Sequence, residues 1–349
     1  MNVMELLMTG DVNCKKDGVL ADKPLAKISS VLSSADIRLG NLEGAFYDPK
    51  IGLDYKPGWF HCEPEMISTI DGHFEAVACA NNVHHGDAIG ASNKTLDSRG
   101  ILHTGAGANL SDARRPVIVE RKGVKVGLLA YTSIFWPLGH AATEERAGVA
   151  NIRVQTAYEP HPRLIEMPGA PAIVRSSPNR DDMDAVRRDI EDLRSTVDVI
   201  VVYFHWGITG DDEITEYQQA IGRQAIEAGA DIVAGSHPHI PQGIEFYRNG
   251  VILYSLGNFM FGWKLHTSMT SEGLLARVDI RMDQTWALSV TPVMRNDLGE
   301  VVPLTTGSAA GSRIGSRVAE LSQRYGTTFE AANDRYLVHG GTKRFGVRE

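Results

Sequence analysis

The run VDVIVVYFHWG, Val197 to Gly207, is apolar at every position from Val199 to Phe204 and then ends on a histidine. Such a run shows no alternation of polar and apolar residues, so a strand built from it is covered on both faces. The same character recurs in MELLMTGD (4–11), ADIRLGNLE (35–43), EAVACANN (75–82), VKVGLLAYT (124–132), ADIVAGSH (230–237) and GVILYSLGN (250–258). Between these runs the spacing changes to that of helices. Leu25, Ile28 and Leu32 share one helical face, as do Met183, Val186, Ile190 and Leu193, and then Ile214, Tyr217, Ile221, Ala225 and Ala228. The last two sets place amphipathic helices directly before the strands that end in histidine, which predicts a layered α/β architecture.

The 349 residues read as one domain, 1–349, with no linker and no internal repeat. Two stretches interrupt the rhythm. Residues 134–180 contain EPHPRLIEMPGAPAIVRSSPN, rich in proline and poor in periodicity, and are read as an insertion that is either a lid or a surface excursion. Residues 281–349 are read as a C-terminal extension. GLLARVDI and WALSVTPVM pair antiparallel at its start, and a helix around Arg317 to Tyr325 follows.

Composition narrows the function classes. A formal charge of −8, with basic residues spread thinly, provides no stripe to neutralise nucleic-acid phosphates or an anionic membrane surface. The N-terminus lacks a basic segment followed by an apolar one, and no run of 18 apolar residues occurs, so the predicted location is cytoplasmic. Cys14, Cys62 and Cys79 are too few and too widely spaced for a disulfide framework or a cysteine zinc site, and are read as reduced core thiols.

A polar side chain stands at the C-terminal tip of each buried strand: Asp11, Glu43, Asn82, His205, His237 and His239. In open α/β sheets the loops diverge at these tips and leave a crevice for ligands. Two carboxylates, an amide oxygen and three imidazoles suit borderline divalent ions, namely Mn, Zn or Fe, and six side chains exceed what one tetrahedral ion takes. Two such ions would use them all. In GSHPHIPQGIE, residues two apart on an extended segment project to one side, so His237 and His239 are expected to reach neighbouring ions around the restricted Pro238.

GDV at Gly10, NLEG at Asn41, ANN at Ala80, HWG at His205, AGADIVAGSHPHIPQGIE at Ala228 and YSLGNFMF at Tyr254 stand in one order along residues 6–280. In these motifs the chain resembles the CapA-like (poly-gamma-glutamate capsule protein) family of the calcineurin-like metallophosphoesterase superfamily. The resemblance implies a four-layer α-β-β-α sandwich of two mixed sheets, the six tip residues holding a metal pair, and Glu43 as the bridging ligand. Asn13, Asn41 and Asn258 are additional candidates. Asn13 is either a weak oxygen ligand or a turn residue. Relatives usually read ANNH where this chain has Val83, and HHGD follows, so His84 and His85 are the candidates for the displaced acid–base role.

With no serine-nucleophile elbow and no phosphate-binding loop, the predicted activity is metal-dependent hydrolysis by an activated water. The resemblance allows a phosphoester, an amide or a lactone, in a small-molecule or short glutamate-like substrate, and leaves oligomeric state open. Arg114, Arg115, Arg153, Arg163, Arg175 and Arg180 are candidates for recognising an anion. Specificity is assigned to the segment 158–179, or failing that to loops 55–62 and 259–266. The alternative is a non-catalytic or weakly catalytic binding protein in capsule-polymer handling.

Overall fold

Consecutive side chains of the strand Val3–Asn13 enter different cores. Met4, Leu6 and Met8 join one buried cluster, whereas Leu7 and Val12 join another. That is the double coverage the apolar runs require. The computed structural model describes residues 3–15, 19–48, 61–262, 270–281 and 283–340. Residues 55–60 and 263–266 of the two alternative specificity loops, and the tail 341–349, lie outside them.

The protein is a mixed α/β structure with two large mixed sheets. In the first, Val3–Asn13 lies parallel to Ile37–Leu42 on one side and antiparallel to Glu272–Arg281 on the other. Parallel strands Ala76–Ala78 and Leu102–Thr104 continue the near side, and Trp286–Arg295 continues the far side antiparallel. The short strand Asn258–Phe261 pairs with the end of Val3–Asn13, in register at Asp11 and Asn258. The second sheet has the order Ile244–Tyr247, Gly250–Leu253, Ile232–Ser236, Val199–His205, Val124–Thr132, Val117–Arg121. Its four central strands run parallel.

One core cluster takes side chains from both sheets: Leu6, Met8 and Leu39 from the first, Leu128, Val201, Tyr203 and Ala234 from the second. The Tyr203 hydroxyl crosses between them and donates to the Thr9 carbonyl at 3.0 Å. The other faces bury helical residues. Leu25, Ile28 and Leu32 pack with Leu7 and Val77, while Met183, Val186 and Ile190 from Arg180–Arg194 and Ile221 and Ala225 from Glu216–Ala228 pack with Ile200 and Val202. Asn179 caps the first of these helices by accepting from the Asp182 N–H at 3.1 Å, and Thr215 with Gln218 forms a capping box on the second. All three cysteines are buried and unbridged.

Two expectations change in detail. The proline-rich segment is not without regular structure: Val154–Glu159 and Ile173–Pro178 form an antiparallel hairpin with Glu159 opposite Ile173. It hid from the sequence because most of both strands is solvent-exposed, so no alternation marks a buried face. At the C-terminus the helix begins earlier, spanning Ala309–Ser322, and strands Thr328–Ala332 and Arg335–His339 then extend the first sheet.

Candidate metal centre

Parallel strands end together, and here their ends lie at one edge of the two sheets. In the first sheet Asp11 is level with Asn41 and Asn258. The Asp11 N–H donates to the Gly257 carbonyl at 2.9 Å, and a Cβ on Gly10 would stand 1.9 Å from that same oxygen. Glycine at position 10 is therefore what lets the two strands cross so closely. Glu43 follows Leu42, with its N–H bonded to the Val12 carbonyl at 2.8 Å. In the second sheet His205 is level with Thr132 and Ser236.

His237 and His239 do not sit on an extended segment. The strand stops at Ser236, and both histidines have left-handed backbones, with φ of 94° and 59°. Neither is glycine or asparagine, so this turn is a strained one, of the kind found at functional sites. The left-handed turn sends the two rings to different places. Glu43, His205 and His237 form one group of potential ligand atoms within 4.8 Å of one another, and Asp11, Glu43 and His239 form another. Glu43 belongs to both.

Polar side chains fix these groups from behind. His205 Nε2 lies 3.6 Å from Glu43 Oε1 and 3.1 Å from Asn82 Oδ1, while its Nδ1 faces Ser236 Oγ at 3.1 Å and Asn41 Nδ2 at 3.3 Å. Asn41 also donates to Asp11 Oδ1 at 2.8 Å, tying the two sheets together. His239 Nε2 is 3.7 Å from Glu43 Oε1, and its Nδ1 is 3.0 Å from Asn258 Oδ1 and 3.3 Å from Asp11 Oδ2. Asn258 spends its amide N–H groups on the His239 and Thr270 carbonyls, which orients its oxygen toward the ring. Asn13 has a different setting. Its Nδ2 donates to the Glu43 carbonyl at 2.5 Å and its Oδ1 accepts from the Lys15 N–H at 2.9 Å, the arrangement of a turn residue.

Burial sets the charge states. Burial and the adjacent His237 and His239 rings hold His205 well below the usual imidazole pKa, and burial with His239 pushes His237 down to about 3. Burial also disfavours the charged form of His239, but the Glu43 and Asp11 carboxylates outweigh it and raise that ring to about 9. The imidazoles of His205 and His237, held neutral beside two buried carboxylates, form a nitrogen and oxygen donor set that fits a borderline divalent ion, and a cation there would compete with the proton that the carboxylates hold on His239. The buried Nδ1 of His237 has no hydrogen-bonding partner among the described residues, a costly state that a cation would relieve.

His84 and His85 are both buried, and His84 is near enough to His205 to help lower its pKa. Asn81 donates through Nδ2 to the Leu42 carbonyl at 2.7 Å, so its Oδ1 accepts from His84 Nδ1 at 3.0 Å. The neutral His84 ring therefore carries its lone pair on Nε2. Burial, then the surrounding imidazoles, push its pKa down to about 3. His85 packs between two further histidines, with ring centroids 6.0 Å from His61 and 5.4 Å from His140. His140 accepts from the Trp136 N–H at Nδ1, 3.0 Å away, and so donates from Nε2 to the His84 carbonyl at 2.8 Å. His61 and His140 carry no strand-tip signal in the sequence, because both stand on irregular loops. Ser236 was visible inside GSHPH, but nothing in the sequence set it apart as a support for His205.

The candidate arginines point elsewhere. Arg114 pairs with Asp189, Arg115 with Asp112, Arg153 with Asp182, Arg163 with Glu166, and Arg175 with Glu159 and Glu216. Arg180 is exposed at the start of its helix.

A family model described as Bacterial capsule synthesis protein PGA_cap matches residues 5–263. The chain is 28% identical over 215 residues to the Capsule biosynthesis protein CapA of Bacillus anthracis, a match covering 61% of this chain and 45% of that protein. It is 26% identical over 291 residues to the PGA biosynthesis protein CapA of Bacillus subtilis (strain 168), covering 81% and 67%. A probable polyglutamine synthesis accessory protein of Mycobacterium tuberculosis (strain CDC 1551 / Oshkosh) is 27% identical over 250 residues, covering 69% and 60%. The chain thus spans less than half the length of the first of these relatives. No helix among the described residues is long and apolar enough to cross a membrane.

Proposed function

The chain belongs to the bacterial capsule synthesis protein PGA_cap family, within the metallophosphoesterase-like superfamily, and on that premise we propose that it is a metal-dependent hydrolase with a dinuclear centre. One observation carries the reading: Glu43 is common to two ligand groups, one with His205 and His237 and one with Asp11 and His239. Asn82 completes the first group and the fold is a four-layer α-β-β-α sandwich with the centre at its strand-tip edge. The ions are Mn, Zn or Fe. When bound, such a pair supplies a nucleophile from water at neutral pH and polarises the substrate oxygen.

The protein's own residues hold and prepare this chemistry. Asn41 keeps Asp11 and His205 in fixed relation, and Ser236 and Asn258 hold the outer nitrogens of His205 and His239. One of His84 and His85 protonates the leaving group or holds the developing oxyanion. The bond cleaved is a phosphoester, an amide or a lactone of a small or glutamate-like substrate. Metal analysis of protein purified without chelator, with a screen of the three bond classes, tests this. About two ions per chain and turnover of one class are expected; a folded protein that takes up no Mn, Zn or Fe overturns it.

A second reading has its own support. Val83 replaces the usual acid–base histidine, and one relative is named an accessory protein. On this reading the chain binds and hands on a glutamate polymer without cleaving it. Tight binding of poly-gamma-glutamate by a metal-loaded protein with no turnover in the screen distinguishes it.

A further inference from the structure

We infer that Thr209 is a positioning residue that fixes which ring nitrogen of His237 faces the Glu43 and His205 group. The inference rests on the metal-centre reading, and its test includes a measurement that does not.

The three imidazoles of the centre follow one pattern. His205 has its Nδ1 against Ser236 Oγ and its Nε2 toward Glu43, and His239 has its Nδ1 against Asn258 Oδ1 and its Nε2 toward Glu43. In each ring one nitrogen meets an outer side-chain oxygen and the other faces the candidate ligands, Glu43 and, for His205, also Asn82 Oδ1 at 3.1 Å. For His237 that outer oxygen is Thr209 Oγ1, 3.2 Å from Nε2. The nitrogens are exchanged: Nε2 is held, and Nδ1 is the buried atom with no hydrogen-bonding partner among the described residues. A hydroxyl that accepts the Nε2–H leaves the lone pair on Nδ1, where a ligand atom is needed.

The loop that carries Thr209 is built to hold that hydroxyl still. Gly210 donates to the Pro238 carbonyl at 2.9 Å, fastening the loop directly to the turn between the two histidines. On its N-terminal side the Gly207 N–H donates to the Tyr217 hydroxyl at 2.6 Å. On its C-terminal side Gln242 Nε2 donates to the Asp211 carbonyl at 2.9 Å, and Gln218 in turn donates to Gln242 at 3.1 Å. The left-handed backbone of His237 swings the ring out of line with its strand, so the backbone alone does not decide which edge faces inward. A side chain does.

The test compares wild type, Thr209→Val and Thr209→Ser in the full chain. Valine keeps the shape and removes the hydroxyl; serine restores it. Side-chain nitrogen NMR of metal-free wild type should show His237 protonated at Nε2, with that state lost in Thr209→Val and recovered in Thr209→Ser. Titration with Mn or Zn by calorimetry should show one of two binding steps weakened about 10- to 100-fold in Thr209→Val and restored in Thr209→Ser. A wild-type His237 protonated at Nδ1 overturns the inference whether or not metal binds, as does a Thr209→Val protein that binds both ions like wild type. Failure of the wild type itself to bind metal, with the expected Nε2–H state present, instead removes the metal reading and leaves Thr209 as the residue that orients the ring.

Discussion

The strand tips and the hairpin 154–178 both invert the usual partition of side chains, in opposite directions. At the tips Asp11, Glu43, His84, His205, His237 and His239 are all buried. On the hairpin Ile165 is 97% exposed and Tyr158 73%, while its charged residues pair among themselves or with the adjacent helix. Buried ionisable groups cost folding energy unless something charged or hydrogen-bonding meets them. Exposed apolar groups on a hairpin cost the folded state little, because they leave water in neither state. The tips are thus sensitive to every side chain, and the hairpin should be nearly indifferent to its own.

Glu43→Ala should break this contrast most severely. Removing the carboxylate common to both groups should reduce bound metal, measured by mass spectrometry of protein reconstituted with Mn, to traces, and lower hydrolysis by more than about a hundredfold. Two retained ions would exclude Glu43 from the centre. His237→Ala and His239→Ala each touch one group only, so each should keep roughly one ion per chain. Full occupancy in either variant would remove that histidine from the ligand set.

Acid provides a smaller and more general effect. His84 and His237 titrate near 3 in the folded protein and near 6.5 when unfolded. Below about 6.5 the unfolded chain binds the extra protons, so the stability these rings provide is complete above that pH and is lost progressively as pH falls toward 3. Melting temperatures of the metal-free protein should therefore drop between pH 7 and 4, and His84→Gln should flatten the slope; an unchanged slope would mean that the ring is not held neutral. At the bottom of the scale, exchanging residues 160–171 for a glycine-serine linker should leave metal content and melting temperature within about 2 °C of wild type, since mainly exposed side chains are lost. Its effect should fall on KM for the native substrate. A large loss of stability would place the hairpin in the core.

The same contrast explains what could be read in advance. A parallel strand buried on both faces writes itself as an apolar run, and the polar residue that ends it marks the tip, so Asp11, Glu43, His205 and the two later histidines stood out. Asn258 was harder. Its place beside Asp11 depends on a pairing between strands far apart in sequence, and no local pattern records it. The left-handed turn at His237 was hidden because glycine, the usual sign of such a backbone, is absent there. His140 and Thr209 act through single hydrogen bonds from loops, where side chains follow no period. The hairpin was missed for the opposite reason: with little buried on either face, its strands had no alternation to display.

Asp11 and Glu43 come from the first sheet, and His205, His237 and His239 from the second or the turn that follows it. These candidate ligands are brought together only by docking of the two sheets, whose contacts join distant parts of the chain and form slowly for that reason. An ion bound at this seam would find no complete site in the separated halves, so it would act mainly on the folded state, after the sheets have docked. Its expected kinetic signature is one-sided: the bound ion should lengthen the lifetime of the native protein by slowing unfolding, while refolding should run at nearly the same speed with the ion or without it.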